Sequence, residues 1–132
     1  MKLKTTTDTG RLGESLACEH LKKQKYKIIG KNVHASHNEI DIIAENKQYI
    51  VFVEVKTRTC ASPEDLIYGS PASAVTYSKQ QRTLAAAYSY LRESRSDKQP
   101  RFDVIEVYLQ KGAENDTPKL IKLEHIESAF TR

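Results

Sequence analysis

The 132-residue chain has no long apolar run and no cysteine framework. A stretch such as Tyr49–Val53 is far short of the roughly 20 residues that cross a bilayer, and Met1–Thr6 has no apolar core of the kind a secretory signal needs. These absences exclude a membrane span and make the cytoplasm the expected address. Cysteine occurs only at Cys18 and Cys60, with no Cys-x-x-Cys spacing, so a disulfide framework is excluded and reduced thiols are expected. His20, His34, His37 and His125 are not spaced as zinc ligands either. Acid is missing from a whole segment. Between His20 and Asn38 there is neither Asp nor Glu, while Lys22, Lys23, Lys25, Lys27 and Lys31 fall within it. With a net charge of +4, that segment reads as a solvated lysine-rich face or as a patch for a nucleic-acid backbone.

The length suits one domain with a core of its own. Residues 1–9 are polar and threonine-rich and are expected to be disordered, leaving 10–132 as the single domain. A helix is predicted over 10–24, with Glu14, Ala17, Cys18 and Leu21 at the three-four-seven spacing of a buried face, so an acid heads an apolar stripe. Tyr26–Val33 reads as a strand interrupted by Gly30. Glu39–Ala44 and Tyr49–Lys56 read as strands joined by the polar connection Glu45–Gln48. Residues 57–76 read as a long loop, and Ser78 with Gln81 as the cap of a second helix reaching Arg95, with Tyr77, Leu84, Tyr88 and Leu91 inward. Phe102–Leu109 is a further strand, Leu120–Leu123 a short edge strand, and Glu124–Phe130 a last helical turn. The order predicts an α/β fold, a small mixed central sheet flanked by helices.

Chemistry concentrates in one hairpin. Side chains alternate along a strand, so Val51, Val53 and Val55 share one face, and Ile50, Phe52, Glu54 and Lys56 the other. Both faces begin apolar, as in a central strand covered on both sides. Pairing Ala44 with Tyr49, or Glu45 with Gln48, sets Asp41 across from Phe52 and Glu39 across from Glu54. Asp41 and Glu54 then become diagonal neighbours, roughly 7–8 Å apart, on one face. Burying such charges is costly unless they are paired or bind a metal. Two carboxylates suit Mg²⁺ through hard oxygen ligands, leaving positions for water and phosphate, and Lys56 beside them suits stabilising developing charge. Hydrolysis of a phosphodiester is the natural reaction. A cross-strand acid–lysine pair with no ligand is the plainer alternative.

Asp41 followed by Glu54-Val55-Lys56 resembles the PD-(D/E)xK signature of restriction-endonuclease-like nucleases. More closely, the chain resembles the small bacterial YraN family. The motifs that carry this are Gly13-Glu14-Ser15-Leu16-Ala17, Asn32, Asn38-Glu39-Ile40-Asp41, Val51 through Arg58, Lys79, Arg101-Phe102-Asp103 and Ala129-Phe130. The resemblance implies a restriction-endonuclease-like fold, similar to archaeal Holliday-junction resolvases. It also implies a metal set of Glu14, Asp41 and Glu54 with Lys56 as the catalytic lysine. The implied activity is Mg²⁺-dependent cleavage of DNA, branched or repair intermediates among the substrates, with Mn²⁺ substituting and a homodimer as the assembly. A non-catalytic nucleic-acid-binding module that keeps the nuclease fold is the alternative. Arg58, Lys79, Arg82, Lys31 and His34 are candidate nucleic-acid contacts. The family usually has Gly where this chain has Asn38, a residue that tolerates a left-handed backbone, and Arg where it has His34. Asp103 beside Arg101 is expected to be a structural pair rather than a ligand.

Overall fold

The computed structural model describes residues 6–60, 76–112 and 117–130. In chain order it has α1 (Thr6–Lys23), β1 (Lys27–Ala35), β2 (Asn38–Glu45), β3 (Tyr49–Cys60), α2 (Tyr77–Ser94), β4 (Gln99–Gln110) and β5 (Lys119–Ile126). The strands form one five-stranded sheet in sequence order. β3 and β4 are parallel, as a connection through α2 allows, and the other neighbours are antiparallel. This is the expected restriction-endonuclease-like architecture, a mixed sheet between two helices.

Alternation along β3 divides the core. Val51 and Val53 pack with Ala17, Cys18 and Leu21 of α1, and Ile50 and Phe52 pack with Leu84, Ala86 and Ala87 of α2. The central-strand reading of β3 therefore holds, and both its faces are sealed before the strand reaches Glu54. Cys18 is buried among the α1 residues and Cys60 ends β3; both are free thiols. No described helix is long and apolar enough to cross a membrane.

Several boundaries differ from expectation for identifiable reasons. α1 begins at Thr6, which shortens the segment expected to be disordered, and residues 1–5 lie outside the described residues. β3 continues to Cys60, so the predicted loop starts later, and residues 61–75 also lie outside them. Thr76, not Ser78, caps α2: its hydroxyl accepts the Lys79 amide at 3.1 Å. Tyr77, in the first turn of that helix, is 76% exposed instead of buried on the inner stripe. Arg95 closes the helix in the left-handed region (φ 55°), its N–H donating to the Leu91 carbonyl. β5 reaches Ile126, eliminating the expected helical turn: Glu127 and Ser128 turn the chain, and Ala129 N–H bonds the Phe102 carbonyl at 2.8 Å.

Two turns set the registers around the site. The β1–β2 turn places Ser36 (φ 52°) and His37 (φ 63°) in the left-handed region, both central positions of a tight hairpin. Asn38 already belongs to β2 and donates its side-chain amide to the Ser36 carbonyl at 2.8 Å, so the left-handed backbone expected at Asn38 falls just before it. In the β2–β3 turn Asn46 Oδ1 accepts the amides of Gln48 (2.9 Å) and Tyr49 (2.7 Å), and Asn46 N–H donates to the Tyr49 carbonyl (3.0 Å). This clamp puts Lys47 and Gln48 at the tip. It moves the register from the expected Ile42–Val51 pairing to Ile42–Val53.

Candidate functional site

A register shift of two residues preserves faces, so Asp41 and Glu54 stay on the same side and come closer than the diagonal placement. The recorded β2–β3 ladder ends at Ile42–Val53. One step further, Asp41 stands opposite Glu54. There the Asp41 side chain replaces the backbone ladder: its Oδ2 accepts the Val55 amide at 2.9 Å. The two carboxyl groups are close enough that the negative charge of Asp41 acts on Glu54. Two buried acids this close are costly to keep ionised together, which favours a proton on one of them.

Burial is the first cause of that proton's stability. It pushes Glu54 up to about 7, helped by the negative charge of Asp41 and opposed by Lys79 and Lys56. Asp41 is also raised by burial, against the Val55 amide and the charge of Lys79. Lys56 Nζ lies 3.7 Å and Lys79 Nζ 3.6 Å from Glu54 Oε1, both about one-third exposed, whereas the Glu54 side chain is 7% exposed. Thus β3 provides Glu54 and Lys56, β2 provides Asp41, and the first turn of α2 brings Lys79 over them.

Glu14 approaches from α1. Burial and the charge of Asp41 raise its pKa, while a hydrogen bond with Asn32 and the charge of Lys31 oppose the rise. Asn32 adopts a left-handed backbone (φ 50°) inside β1. α1 can lie this close because Gly13 has no side chain: a Cβ there would overlap Thr57 Oγ1 of β3. The glycine beside the acid sets the height of the helix over the site.

The arrangement fits a divalent cation in part. Asp41 and Glu54 are two hard oxygen donors whose mutual repulsion is relieved by one proton, and a cation would relieve it better. Among the described residues no three acid, histidine or cysteine side chains form a ready-made cage. Mg²⁺ generally binds one or two carboxylates and keeps waters or phosphate oxygens in its remaining positions, so the pair suffices and Glu14 stands beside it.

Of the five candidate nucleic-acid contacts, Lys79 is the one the structure draws into the carboxylate pair. Sequence reading placed it only near a helix start; the spacing from the Thr76 cap is the signal that would have found its role. Arg58 is exposed, two residues beyond Lys56 on β3. Arg82 is exposed on α2 one turn after Lys79. Lys31 is exposed on β1 and acts electrostatically on Glu14. His34 instead faces Glu39 across the first hairpin, Nε2 to Oε2 3.5 Å, with both side chains well exposed.

A family model described as "Uncharacterised protein family UPF0102" matches residues 13–107. The chain belongs to this family. It is the YraN family of the resemblance above. A UPF0102 protein of Caldanaerobacter subterraneus subsp. tengcongensis is 42% identical over 131 residues, covering 98% of this chain and all of the relative. One of Syntrophotalea carbinolica is 42% identical over 122 residues, 92% of this chain and 89% of the relative. One of Clostridium botulinum (strain Loch Maree / Type A3) is 41% identical over 117 residues, 87% and 91% of the two. The UPF0102 match spans Glu14, Asp41, Glu54, Lys56 and Lys79 together, and begins at Gly13.

A second polar cluster, which sequence reading reached only through Arg101 and Asp103, lies elsewhere in the fold. Arg101 donates to both Asp103 oxygens, Nε to Oδ1 at 2.9 Å and a terminal nitrogen to Oδ2 at 2.7 Å, confirming a structural pair. His125 Nε2 meets Oδ2 at 2.7 Å, His20 Nε2 meets His125 Nδ1 at 3.0 Å, and the Ser128 amide donates to Oδ1 at 3.0 Å. Ionised Asp103 accepts from His125 Nε2, and the other ring nitrogen of His125 shares a hydrogen bond with His20 Nε2. The network joins α1, β4 and β5, and its distance along the chain hid it from local patterns.

Proposed function

We propose that this UPF0102 chain is a Mg²⁺-dependent nuclease that hydrolyses phosphodiester bonds in DNA, with branched or repair intermediates as its substrates. The observation that carries the proposal is the buried Glu54 carboxyl beside Asp41 at the end of the sealed part of β3, with Lys56 Nζ 3.7 Å and Lys79 Nζ 3.6 Å from Glu54 Oε1. A structural ion pair has no use for a second buried acid that opposes the first. Asp41 and Glu54 would hold the cation, Glu14 standing beside them, and when bound it would lower the pKa of a water and neutralise phosphate charge. Lys56 orients the attacking water and stabilises charge developing on the phosphate. Lys79 holds the neighbouring phosphate by its charge, with Arg58, Arg82 and Lys31 as further backbone contacts. A homodimer would present two such sites to a symmetric branched substrate.

The test is a set of branched, flapped, linear and single-stranded DNAs incubated with Mg²⁺ or Mn²⁺, wild type against Asp41→Ala and Lys56→Ala. Product from at least one substrate, absent without the cation and in both variants, is expected. Salt-sensitive DNA binding with no product from any of them would instead favour a binding module on the same fold.

A further inference from the structure

The reaction proposed above leaves Glu106 of β4 unused, although this residue is 0% exposed. The Tyr108 hydroxyl donates to Glu106 Oε2 at 2.6 Å. Glu106 Oε1 has no hydrogen-bond partner, and among the described residues it is the only buried side-chain polar atom in that condition. A buried acceptor without a donor has given up water for nothing in return. Such an oxygen needs a donor at some stage of the protein's work.

Strand register identifies the donor. Phe102 and Val104 of β4 pack into the core beneath α2. Glu106 and Tyr108 continue that alternation and face the same side. On the parallel neighbour β3, Lys56 pairs with Glu106 and Arg58 with Tyr108. Glu54 and Lys56 share the α2 side with Ile50 and Phe52. Neighbouring strands are about 4.8 Å apart, well within the span of a lysine's flexible four-carbon stem. Lys56 Nζ nevertheless lies along its own strand, 3.7 Å from Glu54 Oε1. Two other cations of this face are placed differently. Lys122, opposite Tyr108 on β5, holds Glu124 at 2.8 Å, and Arg58 is exposed beside Tyr108.

Lys56 and Lys79 both lie against the same Glu54 oxygen. Under the nuclease reading that oxygen becomes a ligand, and a divalent charge beside it repels both ammonium groups. Lys56 then has one buried, unpartnered acceptor in register with it, Glu106 Oε1. We propose that Glu106 is a positioning residue for Lys56: when a divalent cation occupies the Asp41–Glu54 pair, the Lys56 ammonium passes from Glu54 Oε1 to Glu106 Oε1 and is held there through the reaction. The Tyr108 hydroxyl fixes the other oxygen and keeps the carboxylate from turning away. The cation rests on the nuclease reading above; the transfer of Lys56 is read without cleavage.

The experiment follows the full chain, labelled with ¹³C in lysine and glutamate, by NMR with and without saturating Mg²⁺. The Lys56 signal is identified by its loss in Lys56→Arg. Without Mg²⁺ the Lys56 ε-protons should show nuclear Overhauser contact with the Glu54 γ-protons, and with Mg²⁺ with the Glu106 γ-protons instead. In Glu106→Gln, which keeps the shape and an oxygen for Tyr108, Mg²⁺ should free Lys56 without any new contact. On the DNA that the wild type cuts, Glu106→Gln should lower kcat roughly 10- to 100-fold, the scale of losing an outer partner of a site residue, with KM unchanged. Tyr108→Phe removes the hydrogen bond but not the acceptor, and should retain both the Mg²⁺-dependent contact and kcat. Lys56 remaining against Glu54 in saturating Mg²⁺ would overturn the proposal, and this wild-type readout stands even where Glu106→Gln fails to fold. An equal loss of kcat in Glu106→Gln and Tyr108→Phe would overturn it too, because the pair would then be only structural. If Lys56 transfers and no DNA is cut, the nuclease reading fails alone. If the wild type cuts and Lys56 stays against Glu54, the positioning proposal fails alone.

Discussion

Burial and like charge act in the same direction at Glu54, and the two lysines only partly offset them. A carboxyl raised to about 7 from an ordinary value near 4.5 binds its proton more tightly in the folded than in the unfolded chain. The folded state therefore holds an advantage below pH 4.5 that is lost as pH rises through about 7. Urea titrations of cation-free protein should show stability falling across that window by about 1–3 kcal/mol. Glu54→Gln, neutral at every pH, should flatten the fall. Removing a lysine acts differently at its two positions. Lys79→Ala should raise the Glu54 pKa further, read by carboxyl NMR, because an opposing charge is gone. Lys56→Ala should leave DNA bound but reduce its cleavage by roughly 10²- to 10³-fold, the scale of losing one aimed donor of this kind.

Between elements, the closest constraint on the site is the crossing of α1 over β3 at Gly13 and Thr57. Gly13→Ala would force the helix or Thr57 to move, costing about 1–3 kcal/mol as overpacking usually does. It should also weaken the influence of Asp41 on Glu14, seen as a lower Glu14 pKa. Adding Thr57→Gly should recover most of the stability, because it removes the atoms that clash. This contact also shows what the sequence could reveal. Glu14 stands out because it heads an apolar helical stripe, and the faces of β3 are readable from Val51, Phe52, Val53 and Glu54 alone, since alternation is a local property. The β2–β3 register was not readable, because it depends on the Asn46 side chain capturing two amides. The Tyr77 stripe failed because helical periodicity does not reveal where the sheet beneath it ends. The Gly13–Thr57 contact, Lys79 over Glu54 and the His20–His125–Asp103 chain join distant segments, and periodicity contains no information about them.

Across the molecule, the Arg101–Asp103 pair is the polar counterpart of the two apolar cores. Burial alone would raise Asp103, but hydrogen bonds from His125, Arg101 and the Ser128 amide overcome it and hold the carboxyl below its ordinary value. Its contribution is present above the unfolded pKa near 3.8 and is lost as pH falls through the folded value. Asp103→Ala leaves the buried Arg101 with only the Tyr26 hydroxyl and the exposed Glu127 carboxylate at 3.5 Å, and should lower the unfolding free energy by about 3 kcal/mol in urea. The double variant Arg101→Met, Asp103→Leu should lose less than Asp103→Ala, since it leaves no unpaired charge. That network stabilises the frame, whereas at the Asp41–Glu54 pair two buried acids face only partly exposed lysines, and burial favours a proton there. The whole account turns on that distinction, and Mn²⁺ calorimetry at pH 6 in buffers of different ionisation enthalpy tests it most directly. Binding to the carboxylate pair should release close to one proton per Mn²⁺, and Asp41→Ala should abolish both binding and release. Mn²⁺ bound equally well by Asp41→Ala, or no binding by the wild type, would contradict the account.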